Sequence, residues 1–202
     1  MLKRTGIYGG SFNPIHVAHV RLAKQLLEKA NLDEVWFVVS PQNPFKQDQQ
    51  LLDDDKRLQL VRLALKRHPR LVACDYEFHL PRPSYMHTTL THLSADFPDR
   101  EFVLLIGADN WERFDHWYRA DDILRDYKLA IYPREGSPIA PTALPPNVQL
   151  VDTPLINLSS TEIRERIRQG RSIARLVPKA VADIISKEHL YAEHPKSQSP
   201  NP

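Results

Sequence analysis

Glycine is scarce in this chain, with 6 residues in 202. Cysteine occurs once, at Cys74, and methionine twice. A single cysteine excludes an internal disulfide and a cysteine-rich metal site, and its apolar setting in LVACDY suits a core position. No apolar run reaches the length of a membrane span. The opening MLKRTGIYGG lacks the apolar centre of a secretion signal. Neither sign of charge dominates: 27 basic and 25 acidic residues leave a net +2. That balance gives no broad surface for nucleic acid or anionic lipid, so any anion site has to be local. The expectation is a cytoplasmic protein with no nucleic-acid or membrane partner. With 42% hydrophobic and 26% charged residues, the composition is that of a globular domain rather than a fibre or a disordered chain.

What is present is an alternation. The β-rich runs are TGIY at 5–8, VWFVV at 35–39, LVACDY at 71–76, FVLLI at 102–106, KLAIY at 128–132 and VQLV at 148–151. Several are apolar throughout, as strands buried on both faces are. Helical spacing predicts helices over 17–30, 53–67, 86–95, 117–125, 160–169 and 178–187. In the second of these, Asp53, Asp54 and Asp55 open the segment and Lys66 and Arg67 close it, in accord with the helix dipole. Strand–helix alternation of this kind predicts an α/β fold, a Rossmann-like open and mainly parallel sheet with helices on both faces. One domain is expected over 1–193, followed by a disordered tail over 194–202. A Pro-rich surface loop is expected within 137–148.

Against so little glycine, the stretch GGSFNPIHVAH at 9–19 stands out. Gly9 and Gly10 end the first predicted strand and a helix begins near Val17. In parallel sheets ligands bind beyond the carboxyl ends of strands. A glycine turn admits a phosphate, and the helix that follows offers free N–H groups and partial positive charge. Ser11 adds a hydroxyl. His16 and His19 lie about one turn apart, so they can meet one ligand. On residue types alone three readings stay open: an anion site, a plain capped turn with packing histidines, or two metal ligands. The metal reading lacks a third ligand nearby.

The stretch also resembles the first motif of the nucleotidyltransferase superfamily, (T/H)-x-G-H preceded by G-(S/T)-F-(D/N)-P. Leu158-Ser159-Ser160-Thr161-Glu162-Ile163-Arg164 resembles its second, I-S-S-T-x-I-R. The motifs stand in the right order about 140 residues apart. Two departures occur: Ala18 replaces the motif's glycine, and Asn13 stands where many members have Asp. Within the superfamily, the chain from residue 3 to about 191 is similar to the bacterial nicotinate-nucleotide adenylyltransferases. Ser40-Pro41-Gln42-Asn43-Pro44-Phe45-Lys46 resembles their loop after the second strand. Pro83-Ser84-Tyr85 resembles their P-S-Y-T segment, with Met86 in place of Thr. Ile106-Gly107-Ala108-Asp109 resembles their I-G-x-D element, Phe114 to Tyr118 their tryptophan-containing segment, and Leu176-Val177-Pro178 with His189-Leu190-Tyr191 their closing pattern.

The resemblance implies adenylyl transfer from ATP to nicotinate mononucleotide, giving nicotinate adenine dinucleotide and pyrophosphate. Catalysis would rest on positioning and charge stabilisation by His16, His19, Lys46 and Arg164. Gly9, Gly10, Ser11, Phe12, Gly107, Asp109, Arg134, Ser159, Ser160 and Thr161 would join them around ATP. Asn43, Lys46, Ser84, Tyr85, Met86, Trp117 and Tyr118 would form the mononucleotide site, with the indole stacked on the pyridine. Bland alternatives accompany several of these. Ser159 with Glu162 also makes a capping box, Asp109 also suits a helix cap, Lys46 also suits a solvated loop, and Trp117 also suits a core anchor. Mg²⁺ is implied as cofactor, carried by the ATP phosphates with no protein ligand. A homo-oligomer is left open. The alternatives for function are another acceptor on the same frame, such as nicotinamide mononucleotide or phosphopantetheine, and a nucleotide-binding regulator without turnover.

Overall fold

The computed structural model describes residues 2–41, 51–139, 144–155 and 157–192. Asn43 and Lys46, the stretch 194–202 and part of the Pro-rich stretch therefore lie outside the described residues. Six parallel strands form one sheet: β1 Lys3–Gly10, β2 Glu34–Val39, β3 Leu71–Cys74, β4 Arg100–Gly107, β5 Lys128–Tyr132 and β6 Val148–Leu150. Their spatial order is β3-β2-β1-β4-β5-β6. The helices are α1 Val17–Lys29, α2 Asp54–Leu65, α3 Met86–Asp96, α4 Ala108–Trp111, α5 Ala120–Asp126, α6 Ser160–Arg168 and α7 Lys179–Lys187. The α/β, Rossmann-like reading is borne out.

Two-residue periodicity sends alternate strand residues to opposite faces. Tyr8, Phe37, Val39, Val103 and Leu105 pack with α1, α2, α6 and α7. Ile7, Trp36, Val38, Leu104 and Ile106 pack with Leu90 and Leu93 of α3 and Ile123 of α5. Every residue of β2 is buried, which is why its run reads as apolar rather than alternating. Each fully buried Leu, Ile or Phe here contributes roughly 1.5–3 kcal/mol. At the amino ends of the strands, buried Glu34 accepts from Lys3 Nζ at 2.6 Å, Thr5 Oγ1 at 3.1 Å and Trp36 Nε1 at 2.8 Å, and pairs with Arg100. That network lies at the end of the sheet away from the site.

Several element boundaries differ from the sequence expectation by a few residues, and two of the differences bear on the cleft. The strand predicted to run to residue 76 ends at Cys74, and a 3₁₀ turn covers Tyr76–His79. The helix predicted over 117–125 starts at Ala120, because Arg119 caps it in a left-handed conformation at φ 54°. A 3₁₀ turn at Phe114–His116 and the short α4 precede it, neither expected from sequence.

The switch in strand order falls between β1 and β4, the usual ligand position in such sheets. There the two strands part. β1 ladders with β4 only as far as Ile7 opposite Leu104, yet with β2 as far as Gly10 opposite Val39. β4 continues beside β5 to Gly107 opposite Tyr132. The last three residues of β1 and of β4 thus diverge and open a cleft.

Candidate active site

Three connected cavities occupy this cleft. One of about 540 Å³ lies between Gly9, Ser40, Ser84, Met86, Trp117 and Tyr118. A second of about 500 Å³ runs past Ser11, His16, His19, Arg134, Ser159 and Arg164. A third of about 340 Å³ shares His19, Asp109 and Arg134 and is walled by Leu155 and Leu158.

The first motif is built differently from a glycine turn. Gly9 and Gly10 are extended residues of β1. A Cβ on Gly9 would stand 2.9 Å from Met86 Cε, and one on Gly10 would stand 3.0 Å from the Phe12 ring. These glycines permit close approach rather than an unusual φ. The positive φ falls instead on Phe12, which is 3% exposed and held at φ 44°, and the turn follows at Asn13 and Pro14. Buried Asn13 explains why amide can stand for carboxylate: its Oδ1 accepts from Leu52 N–H at 3.2 Å, which either side chain can do.

His16 is the N-cap of α1 and is 3% exposed. Its ring stacks on His19 with centroids 3.6 Å apart and an 18° tilt. Burial, and then the Arg134 charge, push the His16 imidazole down to about 3, so it is neutral near pH 7. The His16 backbone N–H donates to His19 Nδ1 at 3.2 Å. That bond leaves the proton of a neutral His19 ring on Nε2. No carboxylate stands in the first turn of α1, so the positive end of its dipole is uncompensated within the helix. Ala18, in place of the motif's glycine, is an ordinary helical residue of α1 and is tolerated on that account.

Across the cleft, the second motif opens α6. Ser159 is its N-cap and accepts from Glu162 N–H at 3.1 Å, as the capping reading expects. Ser160 Oγ donates to Pro14 O at 2.9 Å, and Arg164 Nη1 donates to Asn13 O at 2.8 Å. Arg164 Nη2 reaches Thr161 Oγ1 at 3.1 Å. The two motifs are therefore bonded to each other as well as facing one cavity.

At the end of β4, a Cβ on Gly107 would fall 2.3 Å from Asp109 Oδ1 and 3.1 Å from Arg134 Cγ. The lack of a side chain there lets Arg134 pass. Its guanidinium lies 5.3 Å from the Tyr132 ring centroid, and its Nε is 3.7 Å from Asp109 Oδ1. Trp117 is half-buried at the edge of the core and lines the 540 Å³ cavity, so one face of it packs as an anchor while it also borders the cleft. Tyr118 is 52% exposed, with its ring 4.9 Å from that of Tyr85 at the mouth. Ser84 and Met86, at the start of α3, complete that wall.

The structure thus gathers Gly9, Gly10, Ser11, Phe12, His16, His19, Gly107, Asp109, Arg134, Ser159, Ser160, Thr161, Arg164, Ser84, Tyr85, Met86, Trp117 and Tyr118 around one cleft. Sequence reasoning missed Glu77, Asn110 and Tyr132, which line it as well, and Arg57 behind it. Arg57 had a signal: it occupies the core register of α2 together with Leu60, Val61 and Ala64.

Comparison with known proteins shows the family. A family model described as cytidylyltransferase-like matches residues 7–166. The "Probable nicotinate-nucleotide adenylyltransferase" of Bacteroides fragilis is 49% identical over 178 residues, spanning 88% of this chain and 89% of the relative. The protein of the same name from Cytophaga hutchinsonii is 43% identical, spanning 95% of this chain and 100% of its own. The structure of the Plasmodium falciparum nicotinic acid mononucleotide adenylyltransferase complexed with NaAD superposes with a TM-score of 0.80 at 21% identity, covering 94% of this chain and 97% of that one. With its two motifs facing one cleft and its similarity running nearly end to end, the chain belongs to the cytidylyltransferase-like family and, within it, to the nicotinate-nucleotide adenylyltransferases.

Proposed function

We propose that this enzyme transfers the adenylyl group of ATP to nicotinate mononucleotide, releasing pyrophosphate and forming nicotinate adenine dinucleotide. The observation that carries the reading is the stacked His16–His19 pair at the start of α1, sharing a cavity with the start of α6 and Arg164. An oxygen of the acceptor 5′-phosphate attacks the α-phosphorus of ATP. The new P–O bond forms as the bond from the α-phosphorus to the bridging oxygen breaks, and the electron pair leaves with pyrophosphate. No protein nucleophile is required, which suits a cleft of donors and positive charge.

In this reading the triphosphate lies in the cavity between the two helix starts. His19 presents Nε2–H to the reacting phosphate, and neutral His16 holds the His19 ring by stacking and by its backbone bond. Arg164, Ser159, Ser160 and Thr161 receive the β- and γ-phosphates, and Arg suits paired phosphate oxygens. Arg134 and Asp109 border the adenosine compartment. The pyridine ring stacks on Trp117, with Ser84, Tyr85, Met86 and Tyr118 around it. Asn43 and Lys46 are assigned to the acceptor phosphate from the sequence alone. Among the described residues, no three His, Cys, Asp or Glu converge as metal ligands. Mg²⁺ would be held by the phosphate oxygens and would supply charge neutralisation there. We place the reaction in the cytoplasm. Among the described residues, no helix is long and apolar enough to cross a membrane.

The test is pyrophosphate release from Mg-ATP with nicotinate mononucleotide, nicotinamide mononucleotide and phosphopantetheine in parallel. Release with the nicotinate compound far above the other two is expected. Release only with another acceptor would overturn the substrate, and ATP binding without release from any would overturn the enzyme reading.

A further inference from the structure

Among the described residues, Arg57 lines none of the three cavities above, yet it is fully buried and bonded at every nitrogen. Nε donates to Leu52 O at 2.9 Å and Nη1 to Ser40 O at 2.9 Å and to Ser11 O. Nη2 donates to Pro41 O at 3.4 Å and pairs with Asp54. The carbonyls belong to separate chain segments. Ser11 follows β1 and lines the cavity between the two motifs. Ser40 follows β2 and lines the cavity that holds Trp117. Leu52 precedes α2, and its N–H bonds Asn13, whose own carbonyl takes Arg164. One planar fork thus ties the wall of one cavity to the wall of the other.

The chemistry of the side chain favours a role in alignment over one in bulk stability. A buried charge is often no better for stability than an apolar side chain of equal volume. Diverging donors in a rigid plane do what an apolar chain cannot: they fix the separation of carbonyls from different loops. Lysine concentrates its donors at one point and cannot span them.

We propose that Arg57 is a positioning residue that sets the alignment of the two bound substrates, holding Ser11 after β1 and Ser40 and Pro41 after β2 at a fixed spacing without touching either ligand. This inference rests on the adenylyl-transfer reading for its kinetic form. In-line transfer needs both reactants aligned, and a displacement of about 1 Å can lower the rate about 100-fold.

The experiment compares Arg57→Lys and Arg57→Met with the parent, and with Glu34→Gln as a stability control at the opposite end of the sheet. Folding is checked by circular dichroism and thermal unfolding. Each ligand's Kd is measured alone by calorimetry, using a non-hydrolysable ATP analogue and nicotinate mononucleotide. Arg57→Lys is expected to fold and to bind each ligand within about threefold of the parent, while kcat falls about 100-fold. Glu34→Gln is expected to lower the melting temperature without lowering kcat. Amide exchange, which needs no acceptor, is expected to rise together in the peptides holding Ser11–Asn13 and Leu52. A folded Arg57→Lys enzyme with parental kcat overturns the proposal. So does a variant that loses kcat and both affinities in equal measure, or unchanged exchange in those peptides. Failure of the substrate reading shows in the parent, whereas failure of this inference shows in the ratio of variant to parent and in the exchange.

Discussion

Replacing His16 by glutamine removes a group that titrates in the unfolded chain at pH values where the folded chain holds it neutral. The folded imidazole sits at about 3, lowered first by burial and then by Arg134. The unfolded imidazole titrates near 6.5. Between those values the unfolded chain binds a proton that the folded chain refuses. The stability His16 contributes is therefore complete above pH ~6.5, falls as pH drops, and stops falling near pH ~3. From about pH 7.5 to about pH 5 the loss from this one group is about 2 kcal/mol, at about 1.4 kcal/mol per pH unit. The assay is urea unfolding of both proteins at both pH values. Other titrating groups cancel in the double difference. The parent should lose about 2 kcal/mol more than His16→Gln across the interval. Equal slopes for the two proteins would refute the claim that His16 stays neutral in its buried seat. The same result bears on catalysis, because an imidazole that stays neutral down to low pH cannot produce the acid limb of the activity profile. A surviving acid limb in His16→Gln is expected for that reason.

Further expectations concern the cleft walls. Gly107→Ala puts a Cβ on the Asp109 carboxylate and the Arg134 stem, so both move; a stability loss of about 1–3 kcal/mol with an approximately tenfold higher KM for ATP is expected, read by thermal unfolding and kinetics. Ala18→Gly, which restores the motif's own residue, should cost about 0.5–1 kcal/mol in urea unfolding, because Ala18 is helical and needs no positive φ. Trp117→Ala should raise KM for the mononucleotide about tenfold while leaving that for ATP unchanged, since stacked aromatic pairs contribute about 0.5–1.5 kcal/mol beyond burial. Loss of folding in Trp117→Ala would assign that indole to the core instead.

The parallel sheet was legible because strands buried on both faces must be apolar where they are covered, as β2 is from Val35 onward and β4 from Phe102 onward. The two motifs were legible because their residues are close in sequence. What escaped depends on contacts far apart in the chain. Arg57 bonds carbonyls 46, 17 and 16 positions away, and backbone carbonyls leave no mark in a sequence. Its one trace is a charge in a helix's core register. The sequence suggests a turn at the paired glycines, whereas these are strand residues and the positive φ falls on Phe12; a buried aromatic ring with positive φ is held by its surroundings rather than by its own preference. The start of α5 slipped by three residues for a similar reason, since Arg119 adopts the left-handed region without glycine to announce it. Met86 was noted as a departure, but only the structure shows its thioether lying against Gly9.

The parting of β1 from β4 has an evolutionary consequence. Where the ladder stops after Ile7 and Leu104, two facing strand edges present peptide groups toward the cleft. A ligand recognised along such edges meets atoms that every amino acid carries. Mutation can exchange the neighbouring side chains without erasing that part of the contact. A cleft lined in this way depends less on the identity of the side chains around it.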